Sequence, residues 1–358
     1  MIYIFSSRKA TSLGLEDKSS WAVIIPLGAN KNFSTIPQDF KILEEDMVYL
    51  DISGISAMEL KKFITWTKKR FTGSSWGIID PKGIASDPAL FFFEGAGDYI
   101  GPALIKKGLV KKRFTLAGSF SLESKNADRA ANRKISPGPL DSRLRDMRAT
   151  DSKSSDLRAV DKRKNQKLPA GKFEGWKSIR AGTSLPFFFL FITLSGKTNL
   201  RSLVGESAFS TVKNRLREVL QQYLREAEAL IWMETEENYL LLIPARGANG
   251  RAAAEAGLKL ILNSRLICIE KLGLSIQAEF TLALHYGKTV YREPGRTGAV
   301  ISESVNYIFH LGIKRAESGR LTISEDIPEE ALPEGILDLF SPAGVFEGIP
   351  IRHSRRFT

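Results

Sequence analysis

Between Phe120 and Phe173 the chain carries no aromatic residue, and residues 121–170 hold thirteen Lys or Arg against seven Asp or Glu. That single stretch supplies half of the chain's net charge of +12. It also has a five-residue period: Asp141, Asp146, Asp151, Asp156 and Asp161 are each followed two places later by Arg143, Arg148, Lys153, Arg158 and Arg163. A period of five keeps no side chain on one face of a helix or a strand. Such a segment cannot bury enough apolar surface to offset the entropy of ordering itself. The pattern therefore predicts a flexible, disordered basic linker over 121–172, with folded domains on either side at 1–120 and 173–358. The interleaved aspartates and the lack of stacking aromatics disfavour a nucleic-acid contact there.

Composition narrows what the two domains can be. Apolar residues make up 43% of the 358, enough for real cores. One cysteine, Cys268, excludes a disulfide framework and a cysteine-based zinc site. Three histidines, His285, His310 and His353, leave little for a histidine-rich metal centre. The most apolar run, Leu185–Leu194 (LPFFFLFITL), is half the roughly 20 residues that a spanning helix needs. Met1–Phe5 has no charged segment ahead of it, unlike a secretory signal. The expectation is a cytoplasmic protein without a membrane span.

The first domain shows short apolar runs at Ile2–Phe5, Trp21–Leu27, Met47–Ile52 and Trp76–Asp80. These read as buried strands, and Ala57–Arg70 as an amphipathic helix. Strands alternating with helices predict an α/β domain with a parallel sheet. The second domain reads strand, helix, hairpin, helix, strand, helix, strand. Its elements are expected at Phe187–Leu194, Ser207–Ala227, Ala229–Met233 with Asn238–Ile243, Arg251–Ile269, Ser275–Tyr286, Ser302–Ser318 and Arg320–Ser324. That order predicts an α+β fold on a mostly antiparallel sheet.

Several segments of the second domain carry a resemblance. Phe191–Thr198 (FITLSGKT) is similar to F-A-D-I-S-G-F-T, and Met233–Asn238 (METEEN) before an apolar strand to K-T-I-G-D-G. Ala283–Gly287 (ALHYG) is similar to G-I-H-x-G, Val305–Leu311 (VNYIFHL) to V-N-x-A-x-R-L, and Gly319–Ser324 (GRLTIS) to G-x-I-x-(I/V)-S. Over about 185–324 the chain thus resembles the class III adenylate/guanylate cyclase homology domain, a phosphorus–oxygen lyase family. The resemblance implies a ferredoxin-type α+β fold. It also implies head-to-tail dimers, with nucleotide clefts between subunits in which two carboxylates hold two metal ions that activate the ribose hydroxyl.

Carried over by position, the first metal carboxylate becomes Thr193 and the second Glu237. The nucleotide-orienting Asn is Asn306, and the transition-state Arg becomes His310, which lacks the planar five-donor fork. The base-reading positions become Met233 and Ala299, neither of which can hydrogen-bond a purine edge. The residues also have plainer readings. Asn306 can cap its helix, His285 can be a satisfied histidine at a strand end, Gly196 and Gly287 can permit turns, and Glu236 and Glu237 can form a solvated tip.

In the first domain, Met47–Gly54 (MVYLDISG) and Phe92–Pro102 (FFEGAGDYIGP) resemble the third strand and the G-A-x-D-Y-(I/L)-x-K-P segment of response-regulator receivers. This implies a receiver-like or flavodoxin-like module, with Asp51 at the phosphoacceptor position. Gly101 stands where the Lys is expected, Asp80 where a hydroxyl is expected, and Ser6 and Ser7 where an acidic pair is expected. The expectation is an intracellular signalling protein whose cyclase-like domain is inactive. It would act as a regulatory or partner-binding module, pairing as a homodimer or with another protein and leaving nucleotide binding open. No cofactor is expected. The alternative is an active cyclase with an altered metal site at Glu237, using Mg²⁺ or Mn²⁺ to make cyclic AMP or cyclic GMP.

Overall fold

The apolar runs become strands. The computed structural model describes residues 1–6, 21–27, 42–43, 46–70, 75–85, 88–106, 111–119, 168–169, 171, 173–195, 200–275, 278–296, 302–332 and 334–357. These residues fall into two compact units, one built mainly on the first 119 residues and one on residues from 168 onward. The predicted linker falls almost wholly outside the described residues.

The first unit is a five-stranded, all-parallel sheet. Its strands are β1 (Ile2–Ser6), β2 (Ala22–Pro26), β3 (Met47–Asp51), β4 (Ser75–Ile79) and β5 (Asp98–Ile100), in the order β2-β1-β3-β4-β5. Every residue of β3 and β4 is buried, as the middle of a parallel sheet covered on both faces requires. The helices are α1 (Ala57–Arg70), α2 (Ala89–Phe93), α3 (Pro102–Lys106) and α4 (111–119). Gly77 in β4 has a steric reason: a Cβ there would lie 2.7 Å from the Tyr49 ring and 2.9 Å from the Asp98 carbonyl. Tyr49 donates its hydroxyl to Asp98 Oδ2 at 2.6 Å, and Arg113 grips both Asp98 oxygens at 3.0 and 2.7 Å. Burial, then the Asp98 charge, raises the Tyr49 pKa and keeps the phenol a donor.

The second unit is a seven-stranded mixed sheet in the order β11-β12-β10-β9-β6-β8-β7. It comprises β6 (Ser184–Ser195), α5 (Leu200–Val204), α6 (Glu206–Tyr223), β7 (Leu230–Glu234), β8 (Asn238–Pro244), α7 (Asn249–Leu262), β9 (Glu279–Val290), α8 (Glu303–Lys314), β10 (Arg320–Ser324), β11 (Phe340–Phe346) and β12 (Ile349–Ser354). β6 lies between β8 and β9, antiparallel to both, and β9–β10 is a parallel pair. Phe188–Ile192 has no exposed surface, so the run LPFFFLFITL is a core strand coated on both faces. Among the described residues no helix is long and apolar enough to cross a membrane.

Three sequence expectations shift. The helix expected over Arg251–Ile269 ends at Leu262, and after a short turn the chain winds as a π-helix from Ile267 to Leu272, closed by left-handed Gly273. The strand expected at Ser275–Tyr286 runs instead over Glu279–Val290, because it pairs with the whole of β6 from Ser195 back to Ser184. The β11–β12 hairpin was not expected at all. Its two-residue turn, Glu347 and Gly348, has φ of 47° and 81°, the backbone sense that matches the twist of paired strands.

Candidate functional site

Because β6 and β8 are antiparallel neighbours, Thr193 pairs directly with Asn238 at the β7–β8 turn. The Thr193 hydroxyl donates to the Glu237 carbonyl oxygen at 2.9 Å, tying the end of β6 to the turn. Glu237 itself is exposed. Glu236 is exposed as well, as a solvated tip is, and there Arg201 bonds it at 2.7 Å while holding both Glu206 oxygens at 2.6 Å. The same arginine lowers the Glu206 pKa. Burial pushes Glu234 up, but hydrogen bonds from Arg217 and Lys213 outweigh it and leave that carboxyl lowered. The turn is thus an acidic loop laced by arginines from α5 and α6.

Met233 follows an irregularity in β7 at which Trp232 is the extra residue. Trp232 is buried and donates its ring N–H to the Arg292 carbonyl at 2.6 Å, while Met233 packs against the core. Ala299 and Gly196 lie outside the described residues.

Asn306 and His310 sit one turn apart on α8, both exposed. Asn306 does not cap the helix. Ser302 does, its hydroxyl accepting from the Val305 N–H at 3.2 Å, the arrangement that serine favours at this position. His310 Nδ1 lies 2.9 Å from Glu347 Oε1. His285 is a satisfied buried histidine, its Nδ1 2.8 Å from the Ser324 hydroxyl and its ring 4.6 Å from Tyr307. It lies within β9 rather than at its end. Gly287 is no turn residue either. It pairs with Phe187 inside β9, and a Cβ there would meet Ser304 Oγ at 2.1 Å, so this glycine admits the first turn of α8.

Asn306 and His310 line a cavity of about 910 Å³, together with Pro186, His285, Tyr307, Asp326 and Glu347. Thr193 and Glu237 line no part of it. Pro186 and Thr193 are seven residues apart on an extended strand, about 23 Å. The four positions that the resemblance singles out therefore form two separate groups in one chain.

In the first unit, Asp51 ends β3 with 3% of its surface exposed. It accepts from the Ser6 hydroxyl at 2.6 Å and the Ser53 N–H at 2.9 Å. Asp80 accepts from the Ile84 and Ala85 N–H groups at 3.0 and 2.8 Å and from the Tyr99 hydroxyl at 2.9 Å. Both carboxylates anchor loops. The Cys268 thiol is fully buried, and burial pushes its pKa up to about 12, so it is not a nucleophile. Among the described residues, no three His, Cys, Asp or Glu side chains are grouped so as to hold a metal ion.

No family model and no curated protein matches the chain. Solved structures do. The guanylyl cyclase Cya2 is 16% identical over 50% of this chain and 96% of its own, with a TM-score of 0.36. The adenylyl cyclase CyaB from P. aeruginosa is 17% identical over 49% and 98%, with a TM-score of 0.37. The guanylate cyclase domain of RhGC from Catenaria anguillulae, in complex with GTP, is 11% identical over 48% and 97%, with a TM-score of 0.39.

Sequence reasoning missed the inner wall of the cavity: Tyr307, Asp326 and Glu347. Tyr307 sits between the two residues that the resemblance singles out, at a position its pattern leaves free. Asp326 and Glu347 fall beyond Ser324, where the resemblance stops.

Proposed function

We propose that the second unit is a class III cyclase-homology domain that has lost turnover and serves as a dimeric regulatory or partner-binding module in signalling. Across the sheet, β9, β6, β8 and β7 are the fourth, first, third and second of these four strands in chain order, which supports a ferredoxin-type reading. Met233–Asn238 runs into the β7–β8 turn and Val305–Leu311 begins in the first turn of α8, which supports the reading, whereas Ala283–Gly287 lies inside β9 rather than at its end.

One observation carries the loss of turnover. The position of the first metal carboxylate is a threonine whose hydroxyl bridges to the Glu237 carbonyl. A neutral hydroxyl cannot offset Mg²⁺ charge as a carboxylate does, and Glu237 stands alone as the acidic member. The residues present do not fit a two-metal site, so no metal-assisted step is assigned to them. At the other group, His310 is held by Glu347 and presents no guanidinium to a phosphoryl centre.

The test is direct. Purified protein given ATP or GTP with Mg²⁺ or Mn²⁺ should yield no cyclic AMP or cyclic GMP. Metal-dependent product that disappears in Glu237→Ala would overturn the reading in favour of an active cyclase. The separation of Thr193 and Glu237 from Asn306 and His310 supports pairing, because a second domain, of this chain or of a partner, could bring such groups together across one cleft. Light scattering of the full chain should give twice its 39.8 kDa. A monomer mass at tens of micromolar would remove the dimer.

The first unit fits a receiver-like, flavodoxin-like module without phosphotransfer. Its strand order is the one that such doubly wound sheets share. Because Asp51 is buried and bonded to Ser6 and Ser53, acetyl phosphate should leave it unmodified by mass spectrometry. Labelling that Asp51→Asn abolishes would show a working receiver.

A further inference from the structure

The first unit carries an apolar groove beyond the carboxyl ends of its strands. A cavity of about 730 Å³ lies there, lined by α1 and α2 and by the loops that lead into them. Ile55 reaches it from the loop after β3 and Ile84 from the loop after β4. Leu60 and Ile64 line it from α1, and Leu90 from α2. Open parallel sheets bind ligands at this end of their strands. The volume also falls within the roughly 300–1,000 Å³ of small-molecule sites. Ile84 is 54% exposed and Leu90 66%. Large apolar side chains left in water around one shared cavity form a patch, and such a patch marks a binding surface.

The charged groups on the lining give the ligand its sign. They are Lys61, Lys68 and Lys69 of α1 and Glu94, which caps α2. Lys68 bonds Glu94 at 2.5 Å, so the one carboxylate is already answered. Lys61 is exposed and has no acidic partner among the described residues. It stands beside Leu60 and one turn from Ile64, on the flank that lines the cavity. An apolar floor with an ammonium at its side complements a molecule with an apolar body and a single anionic head. A cationic head would meet like charge.

We propose that this groove binds a single-chain anionic amphiphile, a long-chain carboxylate, with its chain along Leu60, Ile64, Ile84 and Leu90 and its head at Lys61. The groove lies wholly within the first unit, so the proposal is independent of the cyclase reading of the second.

The experiment is calorimetry on the full-length protein with dodecanoate, octanoate and dodecylammonium, each kept below its micelle-forming concentration. Dodecanoate should bind at submillimolar concentration. Octanoate, four methylenes shorter, should bind roughly tenfold or more weakly, because each buried methylene adds to the affinity. Dodecylammonium should bind several-fold more weakly than dodecanoate. Lys61→Glu should reverse the order of the two dodecyl probes, a gain for one of them that no folding defect can mimic. Lys314→Glu makes the same change of net charge at the exposed end of α8, in the second unit, and should leave the order as it was. Leu90→Asp, at an exposed position, should weaken both dodecyl probes about tenfold. No heat from dodecanoate, equal affinity for octanoate, the same effect from Lys61→Glu and Lys314→Glu, or unchanged binding in Leu90→Asp would each overturn the proposal.

Discussion

Arg113→Ala should destabilise the first unit by about 3–5 kcal/mol, a large part of the ~5–15 kcal/mol that holds a typical domain together. Asp98 opens β5 with 3% of its surface exposed, and Arg113 reaches it from α4 with 8% exposed. Two parallel hydrogen bonds join them, at 3.0 and 2.7 Å, and the Tyr49 hydroxyl adds a third to the same carboxylate. Truncating the arginine leaves a buried carboxylate whose charge, among the described residues, only Tyr49 and the Tyr99 N–H address. Replacing both partners, Asp98→Leu with Arg113→Met, removes the charges together and should recover most of the loss. Hydrogen exchange at the β3 and β4 amides reports on this unit alone. A single-variant loss below about 1 kcal/mol would mean that water or another group reaches Asp98. The same geometry explains why Asp98, part of the segment that resembles a receiver, is structural: its oxygens face the core rather than the carboxyl edge of the sheet.

How much of this was legible depended on what each residue needs in order to be read. β3 and β6 were legible because a strand buried on both faces must be apolar throughout, and MVYLD and FFFLFI can hardly be anything else. β11 was not, because it forms the margin of the sheet: it exposes most of its length, and its pairing with β12 shifts after Pro342, as edge strands tolerate. The helix expected through Ile269 failed at Asn263, whose side chain is drawn to the Tyr223 hydroxyl at 3.1 Å, a contact between residues forty places apart. The end of β9 was lost because Lys288 and Thr289 look polar in isolation, and only pairing with Leu185 and Pro186 makes them a strand. At the site, Thr193, Glu237, Asn306 and His310 could be placed by resemblance. The cavity beside α8 could not, because it exists only where a turn at Glu347 and a loop at Asp326 fold back onto Tyr307.

Gly312→Ala should cost about 1–3 kcal/mol and move the helix that carries Asn306 and His310. In α8 a glycine would ordinarily be a defect, since alanine is the better helix former by about 1 kcal/mol. Here a Cβ would lie 2.2 Å from Phe191 Cδ1 and 2.5 Å from two further ring atoms. Phe191 cannot easily yield. It is fully buried in the middle of β6, and its ring meets Phe309 edge-on at 5.8 Å. The helix must therefore lift, and lifting it opens the contacts of Ile308 and Leu311 with the same core. Phe191→Leu alone should also destabilise, by leaving a void. Combined with Gly312→Ala it should cost less than the two single losses added together, because the smaller side chain vacates the space that the methyl needs. Urea unfolding of the four proteins measures that coupling. Strict additivity would show that Phe191 does not set how closely α8 approaches the sheet. The expected coupling would instead make one glycine–phenylalanine contact the device that positions His310 against Glu347, and with it the mouth of the cavity.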